Sequence, residues 1–150
     1  MNFKVRRISI KQLVLSLFMA MAFEGMAQPK NIRLAEEVGG VYPPLEPSIA
    51  INHKNEKNMV AGVVLDRAIY TMDGGTTWAE AKLESPYGVY GDPALISDSN
   101  GDFYYFHLSN PADGGSGDWP DRIVCQKSTD GGKTWSNGSF IGLNPPKNQD

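Results

Sequence analysis

The chain has 150 residues, a net charge of −3 at neutral pH and one cysteine. A single cysteine excludes an internal disulfide framework and a zinc site built from cysteine pairs. The acidic balance, without a Lys/Arg cluster after the first residues, argues against nucleic-acid binding and against binding to anionic membranes.

The chain begins with the pattern of an export signal. Its basic residues are Lys4, Arg6, Arg7 and Lys11. They precede an apolar run at 13–23, which is too short to span a bilayer core of about 30 Å. Gly25 and Ala27 are small residues at the positions that signal peptidase requires before Gln28. We therefore expect residues 1–27 to be a signal peptide and the remainder to be exported to the periplasm or the cell exterior; the alternative is a buried N-terminal helix of a cytosolic protein.

Two sets of four short strands are predicted after the signal. They are 48–52, 59–65, 68–72 and 77–83 in the first set, and 94–97, 103–109, 123–128 and 134–141 in the second. These runs are rich in Val, Ile, Tyr and Phe and are separated by Asn, Asp, Gly and Pro, which is typical of antiparallel all-β folds. Asn100 and Gly101 predict a type I′ hairpin turn, because both tolerate positive φ.

An octet with the pattern Ser/Thr-x-Asp-x-Gly-x-Thr-Trp occurs twice, 57 residues apart. Its defined positions are Thr71, Asp73, Gly75, Thr77 and Trp78 in the first copy, and Ser128, Asp130, Gly132, Thr134 and Trp135 in the second. Upstream of each octet stands an acidic residue followed by proline, Glu46-Pro47 and Asp92-Pro93. Two features that recur in the same order indicate a repeated four-stranded unit, and units of this length are typical of propeller blades.

The two octets resemble the Asp-box repeats, or bacterial neuraminidase (BNR) repeats, of the sialidase superfamily. The segments 46–52 and 91–102 resemble blade openings in secreted sialidase-like proteins. The resemblance implies an all-β fold, with two four-stranded antiparallel blades of a six-bladed propeller at about 42–85 and 86–143, after a lead segment at 28–41. Because two blades cannot close a ring, we expect 42–150 to be the N-terminal part of a longer propeller, in contact with its remaining blades.

The octets are expected to be structural. In the family, this turn joins the third and fourth strands on the side opposite the substrate. A turn aspartate such as Asp73 or Asp130 can accept hydrogen bonds from backbone N–H groups that the turn leaves unpaired. The tryptophans at Trp78 and Trp135 can bury large apolar faces against the sheet.

Substrate-binding candidates are expected at the opposite side, where each first and third strand starts. They are Glu46, Arg67, Asp92, Trp119 and Arg122. Arginine binds a substrate carboxylate in bidentate fashion, and the ring of Trp119 offers a platform for a sugar. The alternatives are an ion pair between blades for the Asp-Arg pairs, which include Asp66 and Asp121, and strand capping for Glu46 and Asp92.

The resemblance implies a glycan-processing protein similar to exo-α-sialidases, with a glycan or glycoconjugate as partner and with no cofactor, metal or membrane span after signal cleavage. Residues 42–45 stand where the family has Phe/Tyr-Arg-Ile-Pro, but they lack the arginine. No catalytic residue is assigned, because the family's catalytic groups would lie beyond Asp150, and the chain alone is expected to be inactive. The alternatives are a non-catalytic glycan- or protein-binding propeller and a glycanase with paired carboxylates. His53 and His107 are expected to be surface or packing residues.

Overall fold

The computed structural model describes residues 31–35, 44–110 and 122–140. The chain divides into two compact units, Met1–Ile32 and Arg33–Asp150, and all described strands lie in the second. The predicted signal peptide, its cleavage site and Trp119 lie outside the described residues. Within the described ranges, no helix is long and apolar enough to cross a membrane.

The described strands form two antiparallel sheets of four strands each, and the described ranges contain no helix. Sheet 1 consists of β1 (Ser48–Asn52), β2 (Asn55–Val63), β3 (Arg67–Thr71) and β4 (Ala79–Lys82), and sheet 2 of β5 (Gly91–Ser97), β6 (Phe103–Leu108), β7 (Ile123–Ser128) and β8 (Ser139–Phe140). In both sheets the strands pair in the order of the sequence. The expectation of an all-β chain with two four-stranded antiparallel units is confirmed.

Strand bounds differ from the prediction most at β2, β5 and β8. β1 and β7 have the predicted bounds, whereas in the described part of the predicted strand, 134–140, only Ser139–Phe140 is a strand. Its first residues complete the preceding turn, because Thr134 bonds to Asp130 and the backbone N–H of Ser136 donates to Lys127 O over 2.9 Å. A residue that closes a turn in this way is not available for the regular pairing of a strand.

The β5–β6 hairpin is present, but the predicted type I′ turn is wrong. Gly101 has φ +87°, while Asn100 is not among the residues with positive φ. The backbone N–H of Gly101 donates to Asp98 O, and that of Asp98 donates to Asp102 O, each over 3.0 Å. These bonds fit a longer loop with a single left-handed glycine. The Asp98 carboxylate stabilises this longer loop, because it accepts hydrogen bonds from the N–H groups of Asn100 and Asp102.

The two sheets pack face to face, with β1 and β2 against β5. Side chains alternate between the two faces of a strand, and one face of each sheet supplies the core. The buried apolar residues of this core are Ala50, Val60, Ala68, Leu83, Leu95, Phe103 and Tyr105. Gly62 allows the closest approach, since a Cβ there would lie 2.7 Å from Leu95 Cδ1 and from Tyr105 Cε2. Small residues of sheet 1 thus pack against large residues of sheet 2.

Equivalent ends of the two sheets lie side by side. Gly91 at the start of β5 is packed against Val64, which follows β2, whereas Asn52 at the end of β1 bonds to Gly101 of the β5–β6 hairpin. The end at which β1, β3, β5 and β7 start, with Glu46, Asp66, Arg67, Asp92 and Arg122, is called the upper end. The end with the octets, residues 71–78 and 128–135, is called the lower end. This alignment places the octets and the described binding candidates at opposite ends.

Candidate functional site

At the lower end, the first octet is a turn that is closed by side chains. The Asp73 carboxylate accepts from the backbone N–H of Thr77 at 2.9 Å through Oδ1 and from its hydroxyl at 2.6 Å through Oδ2. The hydroxyl of Thr71 donates to Asp73 Oδ1 over 2.9 Å and accepts from the N–H of Gly75 over 3.0 Å. These bonds satisfy N–H groups that a tight turn otherwise leaves unpaired.

The second octet repeats these contacts almost atom for atom. Asp130 accepts from the N–H of Thr134 at 3.0 Å and from its hydroxyl at 2.6 Å. The Ser128 hydroxyl donates to Asp130 over 2.8 Å and accepts from the N–H of Gly132 over 2.9 Å. Two distant segments therefore form the same hydrogen-bonded turn, and every defined polar side chain of the octet takes part in it.

The hydrogen bonds keep the turn carboxylates ionised. Bonds from the Thr77 hydroxyl, from the Thr77 N–H and from Thr71 lower the pKa of Asp73 to about 2. At Asp130, burial raises the pKa, but the hydrogen bonds from Thr134 and Ser128 still hold it below the ordinary value. A carboxylate that stays ionised and accepts hydrogen bonds within its own turn stabilises that turn. It is a poor proton donor for catalysis.

The two octet tryptophans differ in their contacts. Trp78 donates from Nε1 to Gly75 O over 3.1 Å. Trp135 packs edge-on against Tyr105 at the core between the sheets, with ring centroids 5.6 Å apart. No acceptor among the described residues bonds to Trp135 Nε1, although this atom is buried. Core packing has therefore taken the place of the turn hydrogen bond in the second copy.

Two asparagines at the lower end join the sheets, and the sequence analysis missed both. Asn58 is 1% exposed and donates from Nδ2 to Thr71 O over 2.9 Å and to Gly131 O over 3.0 Å. Its Oδ1 accepts from Asn52, whose amide also donates to Gly101 O over 3.0 Å. The sequence signal is only a polar residue directly after an apolar run at Asn52 and directly before one at Asn58, which is indistinguishable from the residues of an ordinary turn.

At the upper end, the structure brings Glu46 and Asp92 together. Both residues precede proline and both have a left-handed backbone, with φ +53° and +50°. This conformation is uncommon for residues other than glycine. A hydrogen bond between the two carboxyl groups and the charge of Asp92 raise the pKa of Glu46 above its ordinary value. The repeat thus supplies one carboxyl group from each sheet to a shared pair.

Arg67 is engaged within sheet 1. Its Nε and Nη2 donate to the two carboxylate oxygens of Glu80 on β4 over 2.9 and 2.6 Å. The guanidinium holds the pKa of Glu80 below its ordinary value through these bonds. Lys82 lies beside this pair and its Nζ is 3.6 Å from Asp66. The bidentate geometry that a substrate carboxylate would need is therefore already occupied by Glu80.

Arg122 has a different environment from its repeat counterpart. Its guanidinium carbon lies 4.5 Å from the ring centroid of Phe140 and 5.2 Å from that of Tyr87. The two rings meet edge to face at 5.0 Å. The attraction of a cation to the faces of aromatic rings holds the guanidinium at this place. Aromatic packing therefore fixes the position of a positive charge at the upper end.

Among the described residues, no group of three or more His, Cys, Asp or Glu side chains could hold a metal ion. Comparison of the chain with protein-family models, with curated proteins and with solved structures finds no match in any of the three. The likeness to Asp-box proteins therefore rests on the octets and on the segments upstream of them.

Proposed function

We propose that this chain forms two blades of an exported Asp-box propeller of the sialidase-like class and that it binds acidic glycans at its upper end. Two features support the architecture: both octets close the same turn, and the two sheets stack with equivalent ends aligned. Each sheet is antiparallel and has four strands, as propeller blades do.

The outward faces of the sheets support further stacking. In the repeat, Ile49 takes the place of Leu95, and Ile96 takes the place of Ala50. Leu95 and Ala50 are buried where the sheets meet, whereas Ile49 and Ile96 are 57% and 54% exposed on the outward faces. Another four-stranded unit on either face would cover apolar side chains that stand at positions equivalent to those of the existing core.

The position of Arg122 carries the binding proposal. An acidic sugar presents a carboxylate, for which arginine is the best-suited partner. Arg122 lies at the upper end, and its guanidinium is held over the rings of Tyr87 and Phe140 there.

The test is a glycan array probed with the full chain, followed by titration of the best ligands. We expect selective retention of carboxylate-bearing glycans and at least a tenfold loss of affinity in Arg122→Gln. Lys133→Gln removes a charge at the lower end and serves as the matched control, with affinity unchanged. Binding of neutral glycans only, or equal affinity of Arg122→Gln and the wild type, would contradict the proposal. A fluorogenic sialoside assay of the same samples should show no turnover by this chain.

A further inference from the structure

The segment 83–90, which joins β4 of sheet 1 to β5 of sheet 2, is called the connector, and it carries Tyr87. Pro86 has the fixed φ that suits the second residue of a β-turn, and the backbone N–H of Gly88 closes this turn by donating to Ser85 O over 2.9 Å. The Ser85 hydroxyl accepts from the N–H of Tyr87 over 3.2 Å. The connector therefore holds Tyr87 in a turn that begins at a serine.

The same hydroxyl reaches the segment that carries Phe140. Ser85 Oγ donates to Asn137 O over 2.9 Å. Between Asn137 and β8 stands Gly138, which has φ +90° and lies so close to β7 that a Cβ would be 2.7 Å from Val124 Cγ1. Phe140 then pairs with Val124 in the sheet. One serine hydroxyl thus joins the segments that supply the two aromatic rings.

The backbone of Arg122 is attached to the same place. Ser109, which follows β6, donates from its N–H to Arg122 O over 3.1 Å and accepts from the N–H of Arg122 through Oγ over 3.3 Å. The next residue, Asn110, donates from its N–H to Tyr87 O over 2.9 Å. The backbones of Arg122 and Tyr87 are therefore held close together at the upper end of sheet 2.

We propose that Ser85 is a positioning residue of the carboxylate-binding site at Arg122, an inference that rests on the proposed function. Its hydroxyl keeps the rings of Tyr87 and Phe140 together, and the rings hold the guanidinium. A cation is attracted to the face of an aromatic ring within about 6 Å of the ring centroid, and both rings lie within this distance. Without the hydroxyl, the segments of the two rings lose a bond that connects them. The guanidinium then occupies more positions, and binding a carboxylate requires more ordering.

NMR of the full chain tests the position of the Arg122 side chain without any ligand. Protons over aromatic rings shift upfield, so we expect the δ-protons of Arg122 to lie upfield of those of Arg67, whose guanidinium binds Glu80. The Arg122 signals are assigned by their absence from Arg122→Gln. Ser85 is half-buried, and Ser85→Ala should fold and move these signals downfield, whereas Ser85→Thr keeps the hydroxyl and should keep the wild-type shift. Unchanged Arg122 signals in Ser85→Ala would overturn the proposal.

Titration with N-acetylneuraminate and with glucuronate, two sugars that carry a carboxylate, gives the second readout. For the sugar that binds more tightly, Ser85→Ala should lose about three- to tenfold in affinity, the range that the net value of one hydrogen bond allows, and Ser85→Thr should bind like the wild type. Ser97→Ala, at a half-buried position of the lower end, is the matched control with unchanged affinity. Equal losses in Ser85→Ala and Ser85→Thr would contradict a role of the hydroxyl. If the wild type binds neither sugar, the proposed function fails, whereas the NMR comparison still decides whether Ser85 positions Arg122.

Discussion

Asn58 of sheet 1 donates a hydrogen bond from its side-chain amide to the backbone oxygen of Gly131 in sheet 2, over 3.0 Å. Gly131 belongs to the second octet, so this turn is anchored to the neighbouring sheet as well as to its own strands. The next residue, Gly132, approaches Val60 so closely that a Cβ would lie 2.5 Å from Val60 Cγ2. The octet therefore closes a turn and also sets the distance between two sheets.

Replacing Asn58 with alanine should destabilise the protein markedly. The change leaves the buried oxygens of Thr71 and Gly131 without their shared donor, and a buried group left unsatisfied costs about 1 to 3 kcal/mol. Chemical denaturation measures the free energy of unfolding. Glu56→Ala, at an exposed position of the same strand, is the matched control and should change stability by less than about 0.5 kcal/mol. Equal effects of the two variants would mean that the amide bridge contributes nothing.

The two octet glycines Gly75 and Gly132 allow backbone strain to be separated from packing. Their φ angles are similar, +87° and +94°, so alanine at either position incurs a left-handed penalty of about 1 to 2 kcal/mol. At Gly75 the nearest atom to a new Cβ is Trp78 Cζ2 at 3.5 Å, whereas at Gly132 it is the Val60 methyl carbon at 2.5 Å. Gly132→Ala should therefore cost about 1 to 3 kcal/mol more than Gly75→Ala. Identical melting temperatures of the two variants would show that the contact with Val60 relaxes freely.

Local sequence patterns predicted the strands, because alternation and turn residues act over a few positions. β1 and β7 have the predicted bounds, but β2 begins at Asn55, before the apolar run. Its polar start is held by pairing of Asn52 with Asn55 and by the bond from the N–H of Gly74 to Lys57 O over 2.8 Å. Both contacts come from neighbouring strands and turns, which a local pattern does not record.

The candidate site was predictable only in outline. The repeat indicated which residues share an end of the sheets, but the partners depend on cross-strand register and on loops. The bond of Arg67 to Glu80 needs the pairing of β3 with β4, and the stacking of Arg122 needs Tyr87 and Phe140 from two other segments. His107 was expected to be a surface or packing residue, and the structure shows it buried between two oxygen acceptors.

The Asp73 turn should contribute to the acid sensitivity of the fold. Its pKa of about 2 lies below the ordinary value of 3.8, so the stabilisation is complete above about pH 4 and is lost as pH falls towards 2. Asp73→Asn removes the titrating group and should flatten the loss of stability over this range, which acid titration followed by circular dichroism measures. Glu56→Gln, at an exposed position of β2, is the comparison variant with a wild-type slope. A wild-type slope in Asp73→Asn would show that its hydrogen bonds do not persist in solution.

Trp135 and Trp78 should respond differently to phenylalanine. Trp135 is partly buried and packs against the core beside Tyr105, but its buried Nε1 has no acceptor among the described residues. Phenylalanine keeps an aromatic ring there and removes an unsatisfied N–H group, whose burial costs about 1 to 3 kcal/mol. This gain offsets the smaller apolar surface, so Trp135→Phe should lie within about 1 kcal/mol of wild type. Trp135→Ala should cost about 3 kcal/mol, the low end for removal of a large aromatic side chain, because the ring is only partly buried.

Trp78→Phe removes the hydrogen bond from Trp78 Nε1 to Gly75 O. Unlike Trp135→Phe, it does not remove an unsatisfied N–H group. We expect it to destabilise the first octet by about 0.5 to 1.5 kcal/mol, the usual net value of one hydrogen bond, in addition to any loss of packing. Parallel denaturation curves of the three variants and the wild type give this comparison directly. If Trp135→Phe proves as damaging as Trp135→Ala, then its indole N–H has a partner in solution and the difference between the two octets does not hold.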